Sequence, residues 1–244
     1  MENSKEFWQK QSSSHNRSAD PEFYRRKAAE HAALLDPVER EAGCIDLGCG
    51  AGEMLRFFAD DVNVKVGLDY SDAMLVAARA ALGDRDIELT AADAFAYLPA
   101  TAIPVWTTTG ALNQYLSIEK LKDLMHIFAD NPSSRSFFLF DCIDPMRFRA
   151  MPLGISYREN HAYAHDNPTI RRKIKQLMLR VQYGTQLLFG RFDRDIHWLG
   201  NASMGYGIRP GFWHRIGKEL DLGIEIVSSR YYEYRYHVLV RKKD

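Results

Sequence analysis

The segment Cys44-Ile45-Asp46-Leu47-Gly48-Cys49-Gly50-Ala51-Gly52-Glu53-Met54-Leu55 constrains this chain more than any other. An apolar run ends in three glycines at alternate positions, and an apolar-periodic stretch follows. That order reads as a buried strand, a tight turn and the start of a helix. Glycines at such a turn remove side chains, so a ligand can lie directly on the backbone. The start of a helix leaves amide donors unpaired, which suits a polar or anionic group. A second apolar run, Val64 to Leu68, ends at Asp69. A carboxylate at the tip of a neighbouring strand is placed to accept hydrogen bonds from the two hydroxyls of a ribose. The two segments together point to a nucleoside-containing cofactor.

The rest of the chain alternates in the same manner. Strands are predicted near 43–47, 64–69, 87–91, 103–108 and 136–142, with helices near 52–60, 72–82 and 117–129. Such alternation implies a mainly parallel sheet covered on both faces. Upstream, Asp20 and Pro21 read as N-cap and first position of a helix over Glu22 to Leu35, behind a polar arm. Past Asp141 the rhythm breaks. A helix is expected over 168–189, a glycine-rich stretch from Gly200 to Gly211, a helix over Pro210 to Leu220, and strands over 223–229 and 232–241.

Glycine spacing separates two ribose-binding arrangements. The dinucleotide fingerprint G-x-G-x-x-G places its third glycine one residue later than this chain does. The pattern here is Asp46-x-Gly48-x-Gly50-x-Gly52. It is followed by Gly67-Leu68-Asp69-Tyr70-Ser71-Asp72-Ala73-Met74-Leu75 and by Leu89-Thr90-Ala91-Ala92-Asp93-Ala94-Phe95. Over roughly 40–142 these segments resemble the class I S-adenosylmethionine-dependent methyltransferases. The resemblance implies a doubly wound, mainly parallel, seven-stranded Rossmann-like α/β sheet with an antiparallel last strand and an insertion after the fifth strand. It implies one domain over 1–244, with an N-terminal arm and helix (1–36) and a substrate-specific insertion (145–209). The competing readings are an NAD(P)-dependent oxidoreductase, which the glycine spacing disfavours, and a catalytically silent cofactor-binding module.

Carried residue by residue, the resemblance assigns the cofactor set. Gly48 and Gly50 let the methionine portion of S-adenosylmethionine pass the turn, in which Cys49 packs. Asp46 orients the loop or meets the cofactor ammonium. Asp69 takes the ribose hydroxyls, Tyr70 and Met74 flank the adenine, Asp93 accepts its amino group and the Ala94 amide reads a ring nitrogen. Thr109, closing the fourth strand, completes the set. Ser71 or Asp72 also fits a helix cap, and Met74 also fits the core.

The fourth strand departs from the family, with Pro104 near its start and no leading aspartate. The loop after it, Gly110-Ala111-Leu112-Asn113-Gln114-Tyr115-Leu116, holds amides where the family often has two histidines. Neither amide is a base near neutral pH, so Asn113 and Gln114 are expected to bind the acceptor and Tyr115 to assist or to stack. Methyl transfer from a sulfonium is an in-line displacement, for which alignment matters most. A base is needed only when the acceptor must lose its proton early. His197, within Asp193-Arg194-Asp195-Ile196-His197-Trp198, is the leading candidate, before His161, His165 and His214. His31, His126 and His237 fit structural roles. Phe23 to Lys27, on the N-terminal helix, could touch cofactor or substrate.

Lys plus Arg number 32 and Asp plus Glu number 32, so net charge offers nothing to nucleic acid. Three cysteines at core-like sites argue for a reducing compartment without a disulfide framework. No metal-ligand spacing appears. The polar start is no signal peptide, and no apolar run is long enough to span a membrane. These features predict a cytoplasmic enzyme acting on a small-molecule or glycan acceptor, with the basic 168–189 segment able to touch a membrane surface.

Overall fold

The structure, a computed structural model, describes residues 21–150, 195–199 and 205–243. In chain order the helices are α1 (Pro21–Ala32), α2 (Pro37–Glu41), α3 (Leu55–Phe58), α4 (Asp72–Leu82), α5 (Ala94–Tyr97), α6 (Leu112–Tyr115), α7 (Ile118–Asp130), α8 (Pro145–Ala150) and α9 (Pro210–Glu219). The strands are β1 (Cys44–Leu47), β2 (Val64–Asp69), β3 (Glu88–Ala91), β4 (Val105–Thr109), β5 (Ser136–Ile143), β6 (Ile196–Trp198), β7 (Tyr206–Ile208), β8 (Leu222–Ser228) and β9 (Arg235–Lys242). Seven of them form one sheet in the order β3-β2-β1-β4-β5-β9-β8. The strands from β3 to β5 run parallel, and β9 is antiparallel to both of its neighbours. This is the doubly wound sheet that the resemblance implied.

Aromatic alternation along β5 shows why both faces are covered. Phe137 and Leu139 pack with Trp106, Leu124, Phe128 and Trp213 on one face. Phe138 and Phe140 pack with Ala28, Leu55, Phe58 and Leu75 on the other. Side chains alternate across a strand, so a strand buried on both sides must be apolar throughout. Each fully buried large side chain contributes about 1.5–3 kcal/mol. On α7, Leu121, Leu124, Met125 and Phe128 form the buried stripe, and the Ser117 hydroxyl caps the helix by accepting from the Lys120 amide at 3.4 Å.

Several elements differ from expectation. The helix predicted over 52–60 is the single turn of α3, because the glycine turn runs on to Met54. The N-terminal helix stops at Ala32, and Asp36 and Glu39 then build a capping box that starts α2. Within the predicted insertion, β6 and β7 pair as a separate antiparallel ribbon. Residues 1–20, His161, His165 and the 168–189 helix lie outside the described residues. No described helix is long and apolar enough to cross a membrane.

Candidate active site

The glycine turn is held by its own chain. The amides of Gly48 and Cys49 both donate to the Leu68 carbonyl, at 2.7 and 3.1 Å. The Gly50 amide donates to Asp69 Oδ2 at 3.0 Å. The expected anion site at a helix start is therefore not what this turn provides: α3 is one turn long, and these amides are spent on β2. Gly48, at φ +73°, has no room for a side chain, since a Cβ would lie 2.5 Å from Ala111 Cβ. Gly50, at φ +56°, has nothing within 4 Å of that position. The turn is closed toward the loop after β4 and open at Gly50.

Two buried carboxylates flank the opening. Asp69 Oδ1 accepts from the Ser71 amide at 2.9 Å. Burial raises its pKa, against the amides of Ser71, Gly50 and Tyr70. Asp46 Oδ1 accepts from the Thr107 hydroxyl of β4 at 3.0 Å. Burial pushes its carboxyl up to about 7; the Thr107 bond opposes this and the charge of Asp69 adds to it. Cys49 is buried in the turn, and burial pushes its thiol well above the usual range, so it is no nucleophile.

The remaining cofactor candidates lie along the same edge. Tyr70 is exposed directly beyond Asp69. Met74 is buried but belongs to neither of the large apolar clusters, and its amide donates to the Ser71 hydroxyl that caps α4. Asp93 is exposed and caps α5, with Oδ1 accepting from the Phe95 amide at 2.8 Å. Ala94 is buried at the start of that helix. Thr109 ends β4 opposite Phe140. A cleft of about 560 Å³ lined by Arg25, Arg56, Phe57 and Arg85, and another of about 390 Å³ lined by Asp144, Arg209 and Arg215, touch none of these residues.

The loop after β4 is bolted to β5. Asn113 is buried, and its Nδ2 donates to the Phe140 carbonyl at 3.0 Å and to Cys142 Sγ at 3.1 Å. Gln114, also buried, donates to the Asp141 carbonyl at 3.4 Å. Their amide donors thus position the loop, although acceptor binding was expected of them. Asn113 Oδ1 stays buried with no hydrogen-bond partner among the described residues. Tyr115 follows, half-buried. Burial, with Tyr70 adding and Arg235 opposing, pushes its hydroxyl up to about 12, so it is a donor at neutral pH. The ribbon reaches this loop: a side chain at Gly205 would collide with the Gln114 carbonyl, and His197 on β6 stands opposite Gly207 on β7.

A second polar centre lies beneath α1. The buried Lys27 ammonium pairs with Asp141 Oδ2, which also stands 3.9 Å from His31 Nε2 and 3.7 Å from Arg235 Nη1. Asp141 sits at φ +58° where the β5–β9 register slips. This bulge frees its amide to donate to His237 Nδ1 at 3.2 Å. Burial opposes the Asp141 charge, but Lys27 and Arg235 outweigh it and hold its carboxyl far below the usual range. Burial keeps His31 neutral, and its ring stacks on Phe140 at 4.1 Å. Glu30 Oε1 accepts from the Arg230 amide at 2.6 Å and faces His237 Nε2 at 3.4 Å. Glu30, His31 and His237 bring one possible metal-ligand atom each within 4.8 Å of one another. Yet His237 Nδ1 is already occupied by the Asp141 amide, and Nε2 faces Glu30. Within the trio only Glu30 and His237 are hydrogen-bonded, and His31 is held by its stack on Phe140. The structural roles expected of His31 and His237 are roles in this cluster, whereas Asp141, Arg235 and Glu30 were not anticipated. One signal was available: a lone aspartate in the apolar run Ser136-Phe137-Phe138-Leu139-Phe140-Asp141-Cys142-Ile143.

Residues 44–130 match the family described as "Methyltransferase domain". No curated sequence matches the chain. Among solved structures, the chain resembles a DhpI complex with SAH (12% identity, TM-score 0.59, covering 98% of this chain and 96% of that one). It also resembles magnesium protoporphyrin IX methyltransferase from Synechocystis PCC 6803 with bound SAH (15% identity, TM-score 0.56, covering 99% and 95%). Human N-acetylserotonin methyltransferase in complex with SAM is a third (13% identity, TM-score 0.55, 92% of this chain), and this chain spans only 54% of its length. At such identities these likenesses speak for the fold. Residues 44–130 carry the family match and the sheet carries the topology, and in both the chain resembles the class I S-adenosylmethionine-dependent methyltransferases.

Proposed function

We propose that the protein methylates a hydroxyl or amine of a small-molecule or glycan acceptor. The observation that carries the reading is the pair Asp46 and Asp69, buried near the ends of adjacent strands around the open position at Gly50. Asp69 receives the ribose hydroxyls, Tyr70 and Met74 sandwich the adenine, and Asp93 and the Ala94 amide read its edge. Asp46 faces the ammonium, with Gly48, Cys49 and Thr109 lining the methionine portion. When bound, the cofactor supplies an electrophilic methyl group on a cationic sulfur. The chain's part is to align the acceptor atom with the methyl–sulfur axis through the loop that Asn113 and Gln114 anchor. With the cofactor bound, the acceptor atom would take the methyl carbon as its bond to sulfur broke, and the acceptor proton would leave to water or to His197. Tyr115 donates a hydrogen bond to the acceptor.

The small-molecule reading draws support from neighbours whose names specify such acceptors, N-acetylserotonin and magnesium protoporphyrin IX. All three cysteines are free thiols, which fits a reducing, cytoplasmic setting. The test has two steps. Calorimetry shows binding of S-adenosylhomocysteine and no comparable binding of NAD; tight NAD binding alone overturns the cofactor. A screen with methyl-labelled cofactor then deposits label on low-molecular-weight metabolites or glycans. Label on nucleic acid overturns the acceptor class, and binding without transfer to any pool marks a silent module. His197→Ala lowers turnover and leaves cofactor affinity unchanged; full activity removes His197 from the mechanism.

A further inference from the structure

Arg235 opens β9 opposite Ile143, at the end of β5. Its side chain is only 15% exposed, and its 3.7 Å approach to Asp141 is an ion pair rather than a hydrogen bond. Tyr234 is hydrogen-bonded to the guanidinium, and among the described residues the Arg235 Nε has no partner. A guanidinium taken out of water with a donor unspent carries a desolvation cost that a planar, fork-shaped acceptor offsets. The rings of Tyr232 and Tyr234 lie 4.8 and 5.6 Å from its central carbon, so the charge has aromatic walls.

Its place in the sheet says which ligand it can meet. The cofactor motifs sit on β1 and β2, whereas β9 lies beyond β4 and β5. At about 4.8 Å per strand, β9 is roughly 14 Å from β1. That puts Arg235 beyond the cofactor turn and on the side of the loop after β4. The same carboxylate that pairs with Arg235 belongs to Asp141, whose carbonyl anchors Gln114, next to Tyr115. The Arg235 charge also acts directly on the Tyr115 hydroxyl.

We infer that Arg235 receives a carboxylate of the methyl acceptor, against the tyrosine walls. The inference rests on the small-molecule reading above and narrows it to monocarboxylic acids with an aromatic or other flat apolar body. A planar carboxylate matches the guanidinium fork in a bidentate pair. A phosphate monoester matches less well, because Asp141 and Glu30 already place two carboxylates in the cluster and a second ligand charge adds repulsion.

Calorimetry on the full chain saturated with S-adenosylhomocysteine tests this with benzoate, phenylacetate and 3-phenylpropionate, each beside its methyl ester, and with phenyl phosphate. At least one acid binds saturably and more tightly than its ester and than phenyl phosphate. Arg235→Met weakens that acid at least tenfold, Arg235→Lys weakens it several-fold because it keeps the charge and loses the fork, and S-adenosylhomocysteine affinity is unchanged in both. Circular dichroism establishes that the variants are folded; if Arg235→Met is not, Arg235→Lys decides. The inference is overturned if no acid outbinds its ester, if phenyl phosphate binds best, or if a folded variant keeps full acid affinity. Loss of S-adenosylhomocysteine binding by the unaltered protein would strike the cofactor assignment instead, and label found only on macromolecules the small-molecule reading.

Discussion

The glycine turn and the cluster beneath α1 both bury carboxylates, and they stabilise them by different means. Asp69 is met by backbone amides two residues ahead and across one neighbouring turn, from Ser71 and Gly50. Asp141 is met by side chains from α1 and β9, distant in sequence. Amide partners leave the carboxylate anionic in sum and ready for a ligand, and burial raises the pKa of both Asp69 and Asp46. Cationic partners neutralise the charge, and the pKa of Asp141 falls. The first arrangement fits a site that awaits partners. The second, through Lys27 and Asp141, fastens a helix to a sheet.

The contrast is broken most severely at Asp141. Asp141→Ala leaves Lys27 and Arg235 buried without their shared counter-charge and costs about 3–5 kcal/mol in urea unfolding. A loss under about 1 kcal/mol would mean that the cluster is not a fastening. Its acid sensitivity has a definite sign. The folded pKa lies below the unfolded one, so the stabilisation is present above roughly pH 4 and drains away as pH falls below it.

At Asp69 the effect moves from stability to binding. Asp69→Ala weakens S-adenosylhomocysteine by roughly ten- to a hundred-fold, or ~1.5–3 kcal/mol, by calorimetry. Asp69→Asn retains an acceptor oxygen for one amide and separates turn geometry from ribose binding. An unchanged dissociation constant in both variants shows that the ribose is held elsewhere.

Asp46 sharpens the comparison through pH. Its carboxyl titrates at about 7, so affinity for the cofactor's ammonium improves as pH rises toward 7 and levels off above it, by at most about tenfold per unit. Stability of the free protein runs the other way. A raised folded pKa favours the protonated fold, and that contribution is lost as pH rises through 7. Asp46→Asn therefore stabilises the unliganded protein at pH 8 while it flattens the pH dependence of binding. A flat profile in the unaltered protein would exclude Asp46 from the ammonium.

The smallest effect is expected at Tyr115. Its hydroxyl holds its proton up to about 12, so it acts as a donor and not as a base. Tyr115→Phe lowers turnover by less than about tenfold, in line with one neutral hydrogen bond, and leaves the shape of the pH–rate profile unchanged. Loss of a titrating limb in the variant would show that Tyr115 transfers the proton.

The motif half was legible because its causes are local. Gly48 and Gly50 need positive φ, Asp69 takes one amide two residues on and one from the glycine turn beside it, and β5 declares its burial by its aromatic run. Local causes also misled. The same glycines forecast a long helix with free amides, whereas the turn continues to Met54 and Leu68 takes up two amides. Asn113 and Gln114 read as ligand-binding groups because a sequence cannot show that β5 carbonyls lie within reach of them.

Sequence alone determined the alternating sheet and the methyltransferase resemblance of its motif segments, since periodicity and turn chemistry act over a few residues. In the folded chain Lys27, Glu30 and His31, three and four residues apart, share one face of α1. Only the tertiary structure decided what that face meets. Asp141 enters the cluster through a bulge in a strand pairing, Arg235 through the antiparallel return of β9, and both depend on how distant segments dock. Burial is a property of that docking, and burial sets whether a carboxylate titrates near 7, as at Asp46, or stays charged into strong acid, as at Asp141.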